Sequence, residues 1–261
     1  MKKYAALTAL FLTAALMLNA QTAAQSADSI VRASRDRIKA DTVSVRAKMV
    51  IRAKDGSTSE RQIDQYSKDG AKGSRAVIVF RQPATVAGTR FLTVENPGGA
   101  DDRWIFLPNL GKVRRVAASE GSSSFIGTDF SYDDISSTSR NADLDTHSLL
   151  REENLGASAC YVIQSVPKDS SFQYSKMVQW IAKDTNIILK IELYDKKNTL
   201  VKTVEMSGIE NIQGRMTITV TKMTTHAAGT STTITNEITK YDDQIPEKVF
   251  TVEFLETGKA R

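Results

Sequence analysis

The chain is poor in the residues on which most enzyme chemistry depends. Its 261 residues include one cysteine, Cys160, and two histidines, His147 and His226. A lone cysteine forms no intramolecular disulfide and builds no cysteine metal site. Cys160 sits in the apolar run 159–163 and reads as a small buried hydrophobe. Neither histidine has a second one at ligand spacing, so no zinc or iron site is legible. His226 falls at the tip of an expected hairpin. Pro97-Gly98-Gly99-Ala100 lacks the Lys-Ser/Thr that completes a phosphate loop. Ser122, Ser123 and Ser124 follow Gly121, but the G-x-S-x-G elbow is missing. Asp129, Asp133 and Asp134 do not have the spacing of a calcium loop. They read instead as partners of Arg114 and Arg115, or as caps of a helix starting after Tyr132. No cofactor is implied.

Long apolar runs are also lacking, with one exception at the start. Met1-Lys2-Lys3 precedes an apolar stretch over 4–18 and then small residues, with Asn19-Ala20-Gln21 and Ala23-Ala24-Gln25 as cleavage candidates. This is the pattern of a secretory leader, expected over 1–24. A spanning helix needs about 20 apolar residues, more than this run supplies. The remainder, 25–261, is expected as one soluble periplasmic domain. The net charge is only +5, and Lys2 and Lys3 of the leader contribute to it. With no basic-aromatic cluster in an exported chain, nucleic acid is a poor partner.

What is present is alternation. One helix signal stands out over 26–40, where Ile30, Val31, Ser34 and Ile38 fall at helical spacing. Beyond it the chain reads as strands: Val43, Val45, Met49 and Ile51 alternate with polar residues, and Asp55-Gly56 and Asp69-Gly70 mark hairpins. Further strand-like runs cover 76–80, 90–94, 104–107, 113–116, 161–166, 175–182, 187–194, 200–206, 216–223 and 232–240. Residues 125–156, rich in Ser, Asp and Asn, are expected to be helical or irregular, with a functional or capping role. Many short strands without strand-helix alternation predict a mainly β protein built on one curled antiparallel sheet. Runs such as Trp104-Ile105-Phe106-Leu107 are apolar on both faces, so something must cover the second face. A cavity open to a ligand and a solid two-layer sandwich satisfy this equally well.

The stretch 103–135 carries a resemblance. Its motifs WIFLP, KVRR and SFIGTDFSYDD, in that order, resemble the signature of the outer-membrane lipoprotein-sorting-like family, a branch of the LolA/LolB superfamily. The likeness spans roughly 27–255. It implies an unclosed antiparallel β-barrel with a few helices as a lid, and it tips the choice toward a cavity. Candidate cavity residues are Met49, Phe80, Leu92, Val94, Trp104, Phe106, Tyr161, Trp180, Leu189, Ile191 and Ile218, although core and wall use the same residue types. Residues 121–135 are the expected mobile lid, with Phe125, Phe130 and Tyr132 over the opening. The resemblance further implies a carrier of lipoprotein or lipid acyl chains. It would receive them from an inner-membrane transporter of RND or ABC type and pass them to an outer-membrane acceptor.

Two other readings compete. The first is a non-carrier accessory protein docking on such a transporter through Lys112, Arg114, Arg115, Asp133 and Asp134. The second is a hydrolase using Ser122–Ser124, His147 and a nearby Asp, since catalytic triads are spatial.

Overall fold

The structure is a computed structural model that describes residues 25–70, 73–97, 99–136 and 140–260. The leader expected over 1–24 lies outside the described residues. Helix α1 (Ala27–Arg35) opens the described chain, capped by the Ser26 side chain accepting from the Ser29 N–H. It is shorter than the periodicity predicts. The Arg37 guanidinium donates to the Met216 carbonyl, and the chain after Arg35 follows that contact instead of continuing as helix.

Six strands follow: β1 (Thr42–Arg52), β2 (Thr58–Lys68), β3 (Arg75–Gln82), β4 (Arg90–Val94), β5 (Asp102–Leu107) and β6 (Lys112–Arg115). A connecting segment holds the short helix α2 (Tyr132–Ser136). Seven more strands come next: β7 (Asp145–Leu155), β8 (Ser158–Pro167), β9 (Lys176–Ala182), β10 (Ile188–Tyr194), β11 (Leu200–Ile212), β12 (Arg215–Thr225) and β13 (Thr230–Tyr241). Helix α3 (Val252–Thr257) ends the fold.

All thirteen strands belong to one sheet, in the order β6-β5-β4-β3-β2-β1-β13-β12-β11-β10-β9-β8-β7. Every pairing is antiparallel. Each half is a meander of hairpins. The pairing of β1 with β13, from Val43↔Tyr241 to Arg52↔Ser231 with a register shift between Arg46 and Ala47, joins the halves at the middle. The edges, β6 and β7, stay unpaired with each other, so the barrel is unclosed. Both edges carry charge, as KVRR and as the acidic-basic end of β7, which discourages pairing with other chains.

Two strands escape the sequence pattern. β2 is largely polar and shows only Ile63 and Asp64 as fully buried positions. β7, expected as irregular, is an edge strand whose side chains mostly face water, so it has little apolar alternation to detect. The described residues of 125–156 therefore divide into a packed segment with α2, a 3-10 turn at Ala142–Leu144, and β7.

The connection between the two edges sets the curvature. β4 and β10 stand seven spacings apart in the strand order, roughly 34 Å if flat. Yet Phe125 packs with Phe91 of β4, while Phe130 shares a cluster with Leu193 of β10. The sheet therefore wraps around the segment. In β3, Ile78 and Phe80 turn to this concave side, while Val77 and Val79 turn to the convex side beneath Phe250, Phe254 and Leu255. The helices and loops cover both faces of this half, which explains strands apolar on both sides.

Candidate functional site

The crossing segment divides the concave face into two unlike halves. On the β1–β6 side it is a plug. Phe125 is fully buried and its ring lies 5.8 Å from Phe80, 5.1 Å from Phe91 and 5.6 Å from Tyr132. Tilted and edge-to-face pairs at these separations are favourable aromatic geometry. Met49, Ile63, Ile78 and Ile105 complete this cluster.

Ion pairs and caps hold the plug. Asp133 accepts from Arg103 at 2.6 Å, with both side chains largely buried. Gly121 gives this carboxylate room: a Cβ there would lie 2.3 Å from an Asp133 oxygen. Ser131 and Asp134 cap α2 reciprocally, with Asp134 N–H donating to Ser131 Oγ at 3.0 Å and Ser131 N–H donating to the Asp134 carboxylate at 2.8 Å. The Asp134 carboxylate also accepts from Lys202 Nζ at 2.7 Å and from the Tyr174 hydroxyl at 2.8 Å. Burial, and then the Asp134 charge, push the Tyr174 phenol far above its ordinary range, so it stays a donor. Asp129 accepts from Thr232 at 2.7 Å and from Thr230, which ties the segment to β13.

On the β8–β13 side the trough is not filled. A cavity of about 320 Å³ lies between the sheet, the segment and the end of α1. Its apolar wall comes from Phe130, Met177, Leu193, Val204, Met206 and Met223, joined by Ile188, Ile191 and Ile218. Its polar lining includes Ser34, Arg35, Arg37, Arg140 and Gln179, together with Asp134. Arg140 is bound to the buried Asp145 at 2.7 Å. Burial lowers the Arg35 pKa, Asp145 opposing and Arg140 reinforcing the effect; a guanidinium still remains charged. A second hollow, of about 390 Å³, lies beneath the C-terminal segment with Arg81, Arg90, Asp243 and Phe254 in its wall.

The candidate cavity residues separate. Ile191 and Ile218 line the cavity, as does Phe130 of the expected lid. Met49 and Phe80 face the concave side but are packed against the plug. Leu92, Val94, Trp104 and Phe106 turn to the convex face and pack with α3, because they alternate with the inward-facing Phe91 and Ile105. Trp180 and Leu189 lie in another cluster with Cys160, Val162 and Val178. Tyr161 packs against the α1 cluster of Ile30 and Val31. Cys160 is fully buried, and burial raises its thiol pKa.

Of the expected lid residues, Phe125 and Tyr132 are buried in the β1–β6 cluster, while Phe130 faces the cavity. Of the charged candidates, Asp133 and Asp134 are engaged internally with Arg103 and Lys202. Among the described ion pairs, Arg114 and Arg115 go to other acids than the expected ones. Arg114 pairs with Glu120 at 2.9 Å and Arg115 with Asp102. Lys112 is exposed on the β6 edge. His147 is bonded through both ring nitrogens, to Ser165 and to the Ala142 carbonyl, and Ser124 donates to the Thr128 carbonyl, so the two are not bonded to each other.

Alternation marked the walls of the trough but not their side. Met177, Gln179 and Ile181 face inward, whereas Val178 and Trp180, equally apolar, face outward. Arg35 and Gln179 carried no motif that singled them out.

An unclosed antiparallel sheet wrapped around a crossing segment is the fold of the LolA superfamily. A LolA superfamily protein from Nitrosomonas europaea superposes with TM-score 0.70 at 22% identity, over 88% of this chain and 99% of that one. A structure described as a putative outer membrane lipoprotein-sorting protein domain, from Vibrio parahaemolyticus, matches with TM-score 0.83 and 26% identity, covering 88% of this chain and 98% of its own. A DUF1329 family protein from Desulfovibrio piger matches with TM-score 0.83 and 31% identity, over 88% of this chain and 97% of that one. The profile of a family described as "Uncharacterized protein" covers residues 72–257. The chain belongs to the DUF1329 family, and its fold is that of the LolA superfamily protein. No curated protein matches it in sequence. Among the described residues no helix is long and apolar enough to cross a membrane, and no group of acidic, histidine or cysteine side chains is placed to hold a metal.

Proposed function

We propose that this protein is a periplasmic carrier that holds an acyl chain of a lipoprotein or lipid in the open half of the trough and moves it toward the outer membrane. The unfilled half carries this reading. A sheet whose concave face is filled on the β1–β6 side by the crossing segment leaves about 320 Å³ empty on the β8–β13 side of that face, within the range of small-molecule pockets. Its wall of Met177, Leu193, Val204, Met206 and Met223 suits alkyl groups, and thioether side chains adapt to irregular ligands.

The physical need is large. Each buried methylene is worth about 0.8 kcal/mol, so a sixteen-carbon chain is held in a bilayer by on the order of 12 kcal/mol. A soluble apolar pocket offsets most of that cost, and no covalent bond changes. The lipoprotein-sorting description of the Vibrio parahaemolyticus domain supports the same reading. On this account an inner-membrane transporter of RND or ABC type is the donor, and Lys112 and Arg115 on the β6 edge remain exposed for a partner. Mass spectrometry of organic extracts tests the reading: protein purified without detergent should carry close to one acyl chain per molecule. Protein that is folded, exposed to membranes and free of acyl chains would refute it.

A further inference from the structure

Five buried side-chain polar atoms among the described residues have no hydrogen-bond partner, and three of them, Ser34 Oγ, Arg35 Nε and Gln179 Oε1, line the same cavity. Native proteins rarely leave such groups unpaired, so their gathering at one end of an apolar space calls for a ligand. Ser34 is 6% exposed and Gln179 2%. They are brought together by packing. Ile30 and Val31 of α1 rest on Ile163 and Ile181; one helical turn further along α1 lies Ser34, and two residues back along β9 lies Gln179.

The orientation of Gln179 follows from its neighbours. His147 Nε2 faces the Ala142 carbonyl at 3.0 Å, so that nitrogen carries the hydrogen. His147 Nδ1 then accepts from the Ser165 hydroxyl at 2.8 Å, and Ser165 Oγ accepts from Gln179 Nε2 at 2.7 Å. The amide nitrogen is thereby used, and the amide oxygen is left for the cavity. The other cations around the cavity are occupied: Arg140 by Asp145, Arg37 by the Met216 carbonyl and Lys202 by Asp134. Arg35 Nε has no hydrogen-bond partner among the described residues, and the Asp145 carboxylate that attracts its charge is the one bound to Arg140.

We propose that this end of the cavity binds the oxyanion headgroup of a single-chain amphiphile whose tail runs along Met177, Leu193 and Met223. The Arg35 guanidinium takes the anionic oxygens, the Ser34 hydroxyl donates to one of them, and the Gln179 oxygen accepts from a hydroxyl or water that accompanies the head. The assignment rests on the acyl-chain reading of the cavity and adds the chemistry of the head.

The test measures binding of tetradecanoate, tetradecyl phosphate and tetradecanol to the full chain below their micellar concentrations. At least one of the two anions should bind roughly tenfold or more tighter than the alcohol, as expected for a hydrogen-bonded buried charge. The preferred anion identifies carboxylate or phosphate as the head. Arg35→Met should abolish the preference, bringing the anions to the affinity that the same variant shows for the alcohol, and Arg35→Lys should keep part of it. If the alcohol binds as tightly as both anions, or Arg35→Met keeps the preference, the headgroup assignment is overturned and the cavity reading stands. If none of the three binds, both fall. The comparison of ligands on the unaltered protein decides the matter even where a variant fails to fold.

Discussion

Replacing Phe125 with alanine separates a packed plug from a mobile lid. Phe125 is fully buried, within 5.8 Å of three other rings, and sits at the centre of the β1–β6 cluster. Truncating such a phenylalanine costs about 3–5 kcal/mol through lost transfer energy and the cavity left behind. Each aromatic pair adds about 0.5–1.5 kcal/mol that alanine cannot replace. A swinging lid would have to expose this ring and Tyr132 in every cycle. That costs roughly 3–6 kcal/mol for the two side chains, before the buried Asp133–Arg103 and Asp134–Lys202 pairs are broken. Urea unfolding of Phe125→Ala, followed by circular dichroism, should therefore show a loss of about 3–5 kcal/mol at an unchanged m-value. Phe130→Ala, on the cavity side, only enlarges a space already present and should cost less. A Phe125→Ala loss below about 1 kcal/mol, compared with the 3–5 expected for a packed ring, would refute the plug.

Other perturbations follow from the same geometry. Val204→Trp should fill the cavity, and its acyl-chain binding should drop at least tenfold, measured by displacement of a fluorescent fatty acid, while the melting temperature stays within a few degrees of the parent. Asp134→Asn leaves the mostly buried Lys202 without its carboxylate and should lose about 3–5 kcal/mol in denaturant unfolding; an effect near zero would mean the segment is not anchored there. Asp64 has a depressed pKa. Burial works against the charge, but hydrogen bonds and charges from Arg46 and Arg81 outweigh it. Its stabilising contribution is therefore complete above the ordinary carboxylate range and is lost as pH falls through the lower folded-state value. Stability measured from pH 6 down to pH 2 should fall less steeply for Asp64→Asn than for the parent; parallel curves would contradict the assignment.

Much of the sheet was legible as short strand-like runs, alternating in β1 and continuously apolar in β3 and β5. β3, β4, β5 and β8 to β13 show as such runs bounded by turn signals such as Pro83 and Lys183-Asp184. β2 and β7 did not, since one is largely polar and the other lies at an edge in water. The side of the sheet was harder. Trp104 and Phe106 differ from Ile105 only in parity, and when both faces are covered parity does not tell concave from convex. The resemblance over 103–135 pointed to the fold, and the packing of its SFIGTDFSYDD run, with Phe125 in one cluster and Phe130 in another, was not legible in the motif. Of the three residues with unpartnered polar atoms in the cavity, only Ser34 was marked by the sequence, on the helical face with Ile30, Val31 and Ile38. Ser34, Arg35 and Gln179 are ordinary polar residues until the packing of α1 on β8 and β9 removes their water.

Photo-crosslinking with a fatty acid bearing a diazirine at its tail end tests the central claim most directly. After irradiation and proteolysis, adducts should map to the peptides carrying Met177, Leu193, Val204 and Met223, and Val204→Trp should remove them. Adducts concentrated on Trp104, Phe106 or the C-terminal segment, with the β9–β12 peptides unmodified, would place the acyl chain on the opposite face and contradict the account.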